Sequence, residues 1–457
     1  MKCLVLLILP AIAVAKPAFR PVHGEFPQDL RALQLDSASN HWSACGNTLV
    51  VHPHASPQDS IQLEQDATVT GLVTDMNGYT WFLSGGRLHA YHFTQALPIL
   101  VDGKNPTLLS RCPDGRAMFY ENGTLYGISV AKDKTMEIQP IGTVDGATGF
   151  SVDKDGNIHA QTSRGVFRLD APGDGWQHNW LEVGNLPGSN HDLSGDTLDG
   201  KFYMAGGLTA EWGFPIQSKT FDSVLCFDPQ KKNWTEVGKL LHPRRYNATS
   251  HLGDEIWVIG GDNGKGHPPL ATVEILNLQT RQTRKGPSIP APISMCTAHS
   301  INSRIYVLGK DKDSTAPTNF YSIGKGESCW TSEPSAPDVS GPIVSTTDSQ
   351  NIFVVIPQKH LALYNFASKA WYSIPIPIPP RSCQIAFQKG ELWLLGGRGV
   401  SGGKATQIYN PKTGKWRQGP NLPRELAWGT AFSLCGNLYV AGGASGSCYS
   451  NRTFQLR

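Results

Sequence analysis

The chain has 457 residues, 17% of them charged, with 48 glycines, 32 prolines and a formal net charge of +3. Soluble proteins usually carry about 25% charged residues and about 12% Gly plus Pro, so this balance favours turns over long solvated helices. The small charge argues against nucleic acid as the main partner, because phosphate binding needs a concentrated basic face.

Residues 1–15 read as a secretory signal: Lys2 is the positive end, Cys3–Val14 the apolar run, and Ala13 and Ala15 the small residues before a cut ahead of Lys16. The run is too short for a spanning helix, which needs about 20 apolar residues, and no second such stretch follows. A secreted, soluble product is expected, extracellular or periplasmic if the source is bacterial. Cys45, Cys112, Cys226, Cys296, Cys329, Cys383, Cys435 and Cys448 remain after the cut. In an oxidising compartment they permit disulfides, with the pairing left open. They show no zinc spacing, and no metal or cofactor is implied. Sequons stand at Asn122, Asn233, Asn247 and Asn451.

Residues 16–40 contain a short apolar segment, Leu30–Leu35, expected to form a strand. Residues 41–187 then repeat a weak theme. Met76–Phe93, Gly115–Ser129 and Asp155–Asp170 each read as a turn, two strands and a link, and Ser43–Pro53 echoes Ser433–Gly443 at Cys-Gly-Asn. Strands are expected from near Asn47, Tyr79, Arg116 and Asn157. The stretch Asp153–Asn157 opens like a calcium loop, but Arg164 stands where the twelfth-position Glu belongs, and a hairpin turn fits better. These short units resemble blades of sensor-type propellers.

In residues 188–457 the theme is strong: a short strand, a turn, an apolar strand and usually Gly-Gly. It recurs at Asp199–Gly207, Gly253–Gly261, Asn302–Lys310, Ser349–Pro357, Lys389–Gly397 and Cys435–Gly443. Later in the unit an aromatic residue precedes a tryptophan by seven positions, as in Phe227/Trp234, Tyr364/Trp371 and Tyr409/Trp416, with turn residues between. Four antiparallel strands per unit make a propeller blade, whose two apolar faces are hidden only when blades stack. The Gly-Gly frees the backbone for a bend that a Cβ would obstruct. The unit resembles the kelch repeat; Lys310 and Pro357 depart from it where second glycines would stand.

The fold class expected is therefore an all-β, kelch-type β-propeller. One large ring of nine or so four-stranded blades is favoured, completed by a strand within Leu30–Leu35. The alternative is a six-bladed kelch ring closed by Trp180–Val183, plus N-terminal β-repeats.

In such blades the loop after Gly-Gly and the loop entering the inner strand share one face, around the mouth of the central channel. A binding site is sought there, among Asn190, His191, Asp192, Glu211, Trp212, Arg244, Arg245, Tyr246, His267, Arg381, Arg398, Arg424, Glu425 and Trp428. Arginines beside aromatics can hold a carboxylate, a sulfate or a sugar ring. The function expected is non-catalytic binding of carbohydrate or protein. Two enzyme families test that reading. Arg245-Tyr246-Asn247 resembles the segment of galactose oxidase that holds its cross-linked tyrosine, but His191-Asp192 stands where the partner cysteine belongs. Glu211, after Gly206-Gly207, resembles the loop carboxylate of sialic acid mutarotase. That resemblance implies Glu211 or His191 as acid–base groups, Arg244 or Arg381 as the substrate clamp, and no cofactor.

Overall fold

The computed structural model describes residues 32–36, 40–52, 60–92, 98–130, 135–153, 157–169, 179–210, 218–264, 266–310, 318–339, 341–398, 403–445 and 448–457. Among them, regular structure consists of antiparallel strands, mostly in four-stranded sheets. None of their helices is long and apolar enough to cross a membrane. The signal segment lies outside the described residues.

The strong repeats fold as expected. In the first, Gly195–Leu198 pairs with Lys201–Ala205, then Ser223–Asp228, then Asn233–Lys239. The aromatic and indole of each expected hairpin face one another: Phe227 opposite Trp234, Tyr364 opposite Trp371, Tyr409 opposite Trp416. Two fourth-strand or link indoles tie their blade to the one before. Trp330 Nε1 donates to the Pro287 carbonyl at 2.9 Å, and Trp234 Nε1 to Thr453 Oγ1 at 2.8 Å.

The inner strands Gly195–Leu198, Ala248–Leu252, Ser294–Ile301, Val344–Thr347, Gln384–Gln388 and Thr430–Leu434 pack in that order, and the last packs back on the first. Phe202 and Phe432 stack across this seam with centroids 3.9 Å apart. The circuit therefore closes at six blades, which corrects the expectation of one wide ring. The closing strand is Trp180–Asn185, paired antiparallel with Arg452–Leu456. It directly precedes blade one, so closure orders only a short connection. The strand expected within Leu30–Leu35 exists as Ala32–Leu35, but it pairs with His41–Cys45 and closes nothing in the ring.

Gly-Gly has the physical reason anticipated for it. Gly206 and Gly207 adopt φ of 69° and 102°, and Gly442 and Gly443 adopt 64° and 89°. A Cβ on Gly207 would run into the Asn190 amide, and one on Gly206 into the Arg244 carbonyl. Where glycine is lost the strand runs on: Arg304–Lys310 continues through Lys310.

The weak repeats make four further sheets in an arc. Their inner strands, Ala32–Leu35, Val69–Thr74, Leu108–Arg111 and Ala147–Val152, pack in sequence. The fourth sheet has three strands among the described residues. The Cys-Gly-Asn echo proves out of register: Thr48–His52 is a third strand, whereas Asn437–Ala441 is a second. The arc's turns carry a device of their own. Asp36 accepts from Trp42 Nε1 at 2.8 Å, Asp75 from Trp81 Nε1 at 2.9 Å, and Asp153 lies 3.1 Å from His159 Nε2. Each carboxylate also takes backbone N–H groups of its own turn, including that of Asn40, Tyr79 or Asn157. The Val152-to-Ile158 hairpin confirms the connection expected at Asp153, though residues 154–156 lie outside the described set.

Arc and ring meet at the closing strand. Arg111 donates to both Glu182 oxygens at 2.8 Å, and Glu182 N donates to the Pro113 carbonyl at 3.1 Å. Arg452 is fully buried, 3.4 Å from Glu182 Oε1 and from Thr74 Oγ1. Burial first, and Arg111 next, push its pKa down to about 10, against the pull of Glu182, Asp36 and Asp75. Arg424 donates to the Met76 carbonyl, and Met76 packs with Trp180, Leu426 and Phe454.

Cys112, Cys226, Cys296, Cys329, Cys383 and Cys435 are unbridged. Two sequons are embedded in the fold: the buried Asn247 donates to the Ala205 carbonyl at 3.1 Å, and the buried Asn451 to the Asp36 carbonyl at 3.2 Å. Asn122 and Asn233 remain exposed.

Candidate functional site

In four blades the entry loop pairs with the residues just beyond the Gly-Gly of the same blade. Isolated bridges join His191 to Leu208, Arg245 to Asp262, Arg381 to Arg398, and Ala427 to Ala444. The two loop sets do lie on one face. The chain must then turn sharply into the inner strand, and it does so through a left-handed residue in every blade. These are Asp192 (φ 62°), Tyr246 (54°), Met295 (53°), Gly341 (89°), Ser382 (56°) and Trp428 (56°). Backbone bonds link neighbours: Trp428 N donates to the Ser382 carbonyl at 3.1 Å, and Asp192 N to the Trp428 carbonyl at 2.9 Å.

A non-glycine residue with positive φ is uncommon. Gly341 shows that glycine fits this position, yet the other five blades keep a side chain there, and all five line the central cavity. The cavity holds about 210 Å³, less than the roughly 300–1,000 Å³ of pockets that enclose a drug-sized ligand. A ligand of that size fits at the mouth rather than inside the channel.

The mouth is unequal around its circumference. Met295, Gly341 and Ser382 make one side nearly featureless. The other gathers Trp428, Asp192 and Tyr246, with neighbours that sharpen their chemistry. The His191 ring stacks on Tyr449 at 4.5 Å and lies 6.1 Å from Trp428. The Arg398 guanidinium sits 3.9 Å over the Trp428 ring, and Arg245 sits 4.8 Å over Tyr246. His191 Nδ1 is 2.8 Å from Asp192 Oδ1, and Arg245 Nη1 is 3.8 Å from Asp192 Oδ2. Asp192 is therefore buried among His191, Arg245 and Tyr246. Burial, then the negative charge of Asp192, raises the Tyr246 and Tyr449 hydroxyls well above the ordinary tyrosine range, keeping them neutral donors. The channel thiols Cys296 and Cys383 are pushed up to about 12 by burial and are poor nucleophiles.

Six of the expected residues therefore converge: His191, Asp192, Arg245, Tyr246, Arg398 and Trp428. Arg381 is exposed beside Arg398. Others serve the frame. Asn190 is buried, donates to the Gly206 carbonyl at 2.9 Å and accepts Gly443 N at 2.8 Å, so it seals blade six to blade one. Arg244 is buried inside blade two on Glu274 and the Gly260 carbonyl. Arg424 turns away to the arc. His267 is exposed, with its backbone N bonded to the Gly264 carbonyl, and Glu425 is half-buried. Glu211 and Trp212 lie outside the described residues. The loops Asp262–His267 and Arg381-Ser382 were also expected at the mouth, and Ser382 lines the channel. Tyr449 and Met295 escaped the sequence reading.

The Kelch motif matches residues 243–289, the segment running from the Arg244 loop to the end of blade two. The chain is similar to beta-scruin of Limulus polyphemus, 22% identical over 272 residues, 53% of this chain and 29% of that protein. It is similar to human kelch repeat and BTB domain-containing protein 12, 27% identical over 144 residues, 29% of this chain and 23% of that protein. N-acetylneuraminate epimerase of Salmonella arizonae is 30% identical over 121 residues, 26% of each chain. The chain thus spans less than a third of the length of these relatives. The solved structure of YjhT, 14% identical, covers 59% of this chain and 95% of its own with a TM-score of 0.48.

Proposed function

Taking as its premise that the chain is a kelch-repeat β-propeller, we propose that it is a secreted binding protein. It recognises a carbohydrate or a protein surface at the aromatic, basic half of the channel mouth. The observation that carries this reading is the convergence of Trp428, Tyr449, His191, Asp192 and Arg398 beside a blank half-rim. Aromatic faces beside guanidinium groups suit a sugar ring or a protein side chain. The signal-like residues 1–15 support secretion. A carbohydrate array probed with wild type and a Trp428→Ala/Arg398→Ala double variant tests the reading. The wild type is expected to retain a defined subset of glycans and the variant to lose it; equal retention by both would remove these residues from the site.

A second reading, sugar mutarotation, is favoured by the similarity to an N-acetylneuraminate epimerase and by the close His191–Asp192 pair. An acid–base pair at a sugar's anomeric centre needs no cofactor. NMR exchange between the anomers of N-acetylneuraminate separates the readings. Acceleration by wild type but not by His191→Gln supports catalysis, and an unchanged exchange rate leaves binding.

A further inference from the structure

Blades two and five use the same backbone bridge with opposite chemistry. In blade two the bridge joins Arg245 to Asp262, and the side chains complete it: Arg245 Nε donates to Asp262 Oδ1 at 2.9 Å. Asp262 is satisfied again by Ser294 Oγ at 3.1 Å and by Gly264 N at 3.0 Å. In blade five the bridge joins Arg381 to Arg398, with Arg398 N on the Arg381 carbonyl at 2.6 Å. Like charges directly opposite across a strand pair repel. Both arginines are exposed, and among the described residues neither has an ion-pair partner. The Trp428 ring beneath Arg398 holds its guanidinium by its face. That leaves the N–H edge for a planar or tetrahedral anion.

We propose that Arg381 and Arg398 form an anion subsite, so that the mouth selects an acidic sugar bearing a carboxylate or a sulfate ester. The inference rests on the mouth being the binding site. The anion takes the place that Asp262 fills in blade two, bridging two cations that otherwise face each other unpaired. Tyr449 and Trp428 supply the apolar wall beside them. A neutral sugar would leave both guanidinium groups facing water.

The test is calorimetric titration of the full chain with D-glucuronate, glucose 6-sulfate and D-glucose. The acidic sugars are expected to bind at least tenfold more tightly than glucose, and the better of the two tells carboxylate from sulfate. Arg398→Asp rebuilds the blade-two ion pair in blade five. It is expected to abolish the tenfold preference while the Tm stays at or above that of wild type. Equal affinity for all three sugars, or a preference that survives Arg398→Asp, overturns the subsite. If glucose binding is nevertheless lost in Trp428→Ala, the mouth itself stands. Absence of binding by all three sugars overturns the acidic-sugar subsite and carbohydrate recognition together.

Discussion

The ring and the arc are both stacks of small antiparallel sheets, but they settle the same local problem differently. In the ring, the difficult bend after each apolar strand is given to glycines, as at Gly206-Gly207, and side chains on the entry loop are left to face the channel mouth. In the arc, three of the turns fold a carboxylate inward onto its own backbone and onto an indole or imidazole six residues on. The arc's turn carboxylates are spent on their own turns, whereas Asp192 of the ring lines the channel beside His191. Under the proposed function, recognition uses the loops whose bend glycine has taken over, and the arc is a buttress on the closing strand.

The largest test of that division strikes the joint. Arg452→Met removes a buried cation that Glu182, Asp36 and Asp75 surround, and loss of one partner from a buried pair costs about 3–5 kcal/mol. Urea unfolding should show the midpoint fall, with proteolysis in residues 40–130 before the ring. A single, unshifted transition would mean the arc needs no such anchor.

Acid should act on the ring through His299, which lines the channel with Nε2 2.7 Å from Ser345 Oγ. Burial lowers its pKa from 6.5 to about 4, so the fold holds the neutral ring. The associated stability is complete above pH 6.5 and falls as pH drops, with the loss full below about 4, on the order of 3 kcal/mol. His299→Gln should flatten the difference in melting temperature between pH 7 and pH 4; an equal acid shift in both proteins would contradict the assignment.

The turn device of the arc is tested by Asp75→Ala, which strips the Trp81 indole and two backbone donors of their acceptor. About 1–3 kcal/mol is expected, and a double-mutant cycle with Trp81→Phe should be non-additive. Additivity would show that the carboxylate does not serve the indole. The smallest effect belongs to the mouth. Ser382→Gly relieves a left-handed backbone and should change stability in urea unfolding by no more than about 1 kcal/mol; a larger change would show that the Ser382 side chain itself holds the bend.

The sequence carried the blades because Gly-Gly and the aromatic–Trp pairs are local: one bend and one hairpin require them. Closure was not local. Trp180–Asn185 and Arg452–Leu456 are brought together only by the whole circuit, and nothing in Leu30–Leu35 or Trp180–Val183 marks one as the closing strand. The Asp-to-Trp spacing at Asp36/Trp42 and Asp75/Trp81 was present but interrupted in the third sheet, where Cys112 occupies the equivalent turn. At the mouth, Trp428 was legible as an aromatic in an entry loop and Arg398 as a cation just after a Gly-Gly. Arg244 and Arg424 looked the same in sequence but are buried, because Glu274 and the Met76 carbonyl draw them inward. Tyr449 was missed because only its stack on His191 brings it to the site.

The central claim is that ligand sits on the Trp428 half of the mouth. The most direct measurement is the two-dimensional NMR spectrum of indole ¹⁵N–H groups during titration with the tightest-binding glycan. The Trp428 resonance, assigned by its absence in Trp428→Phe, should move with ligand while the seam indole of Trp234 stays fixed. Saturating binding that leaves Trp428 unmoved and shifts only Trp42 or Trp81 would place recognition in the arc and contradict the account.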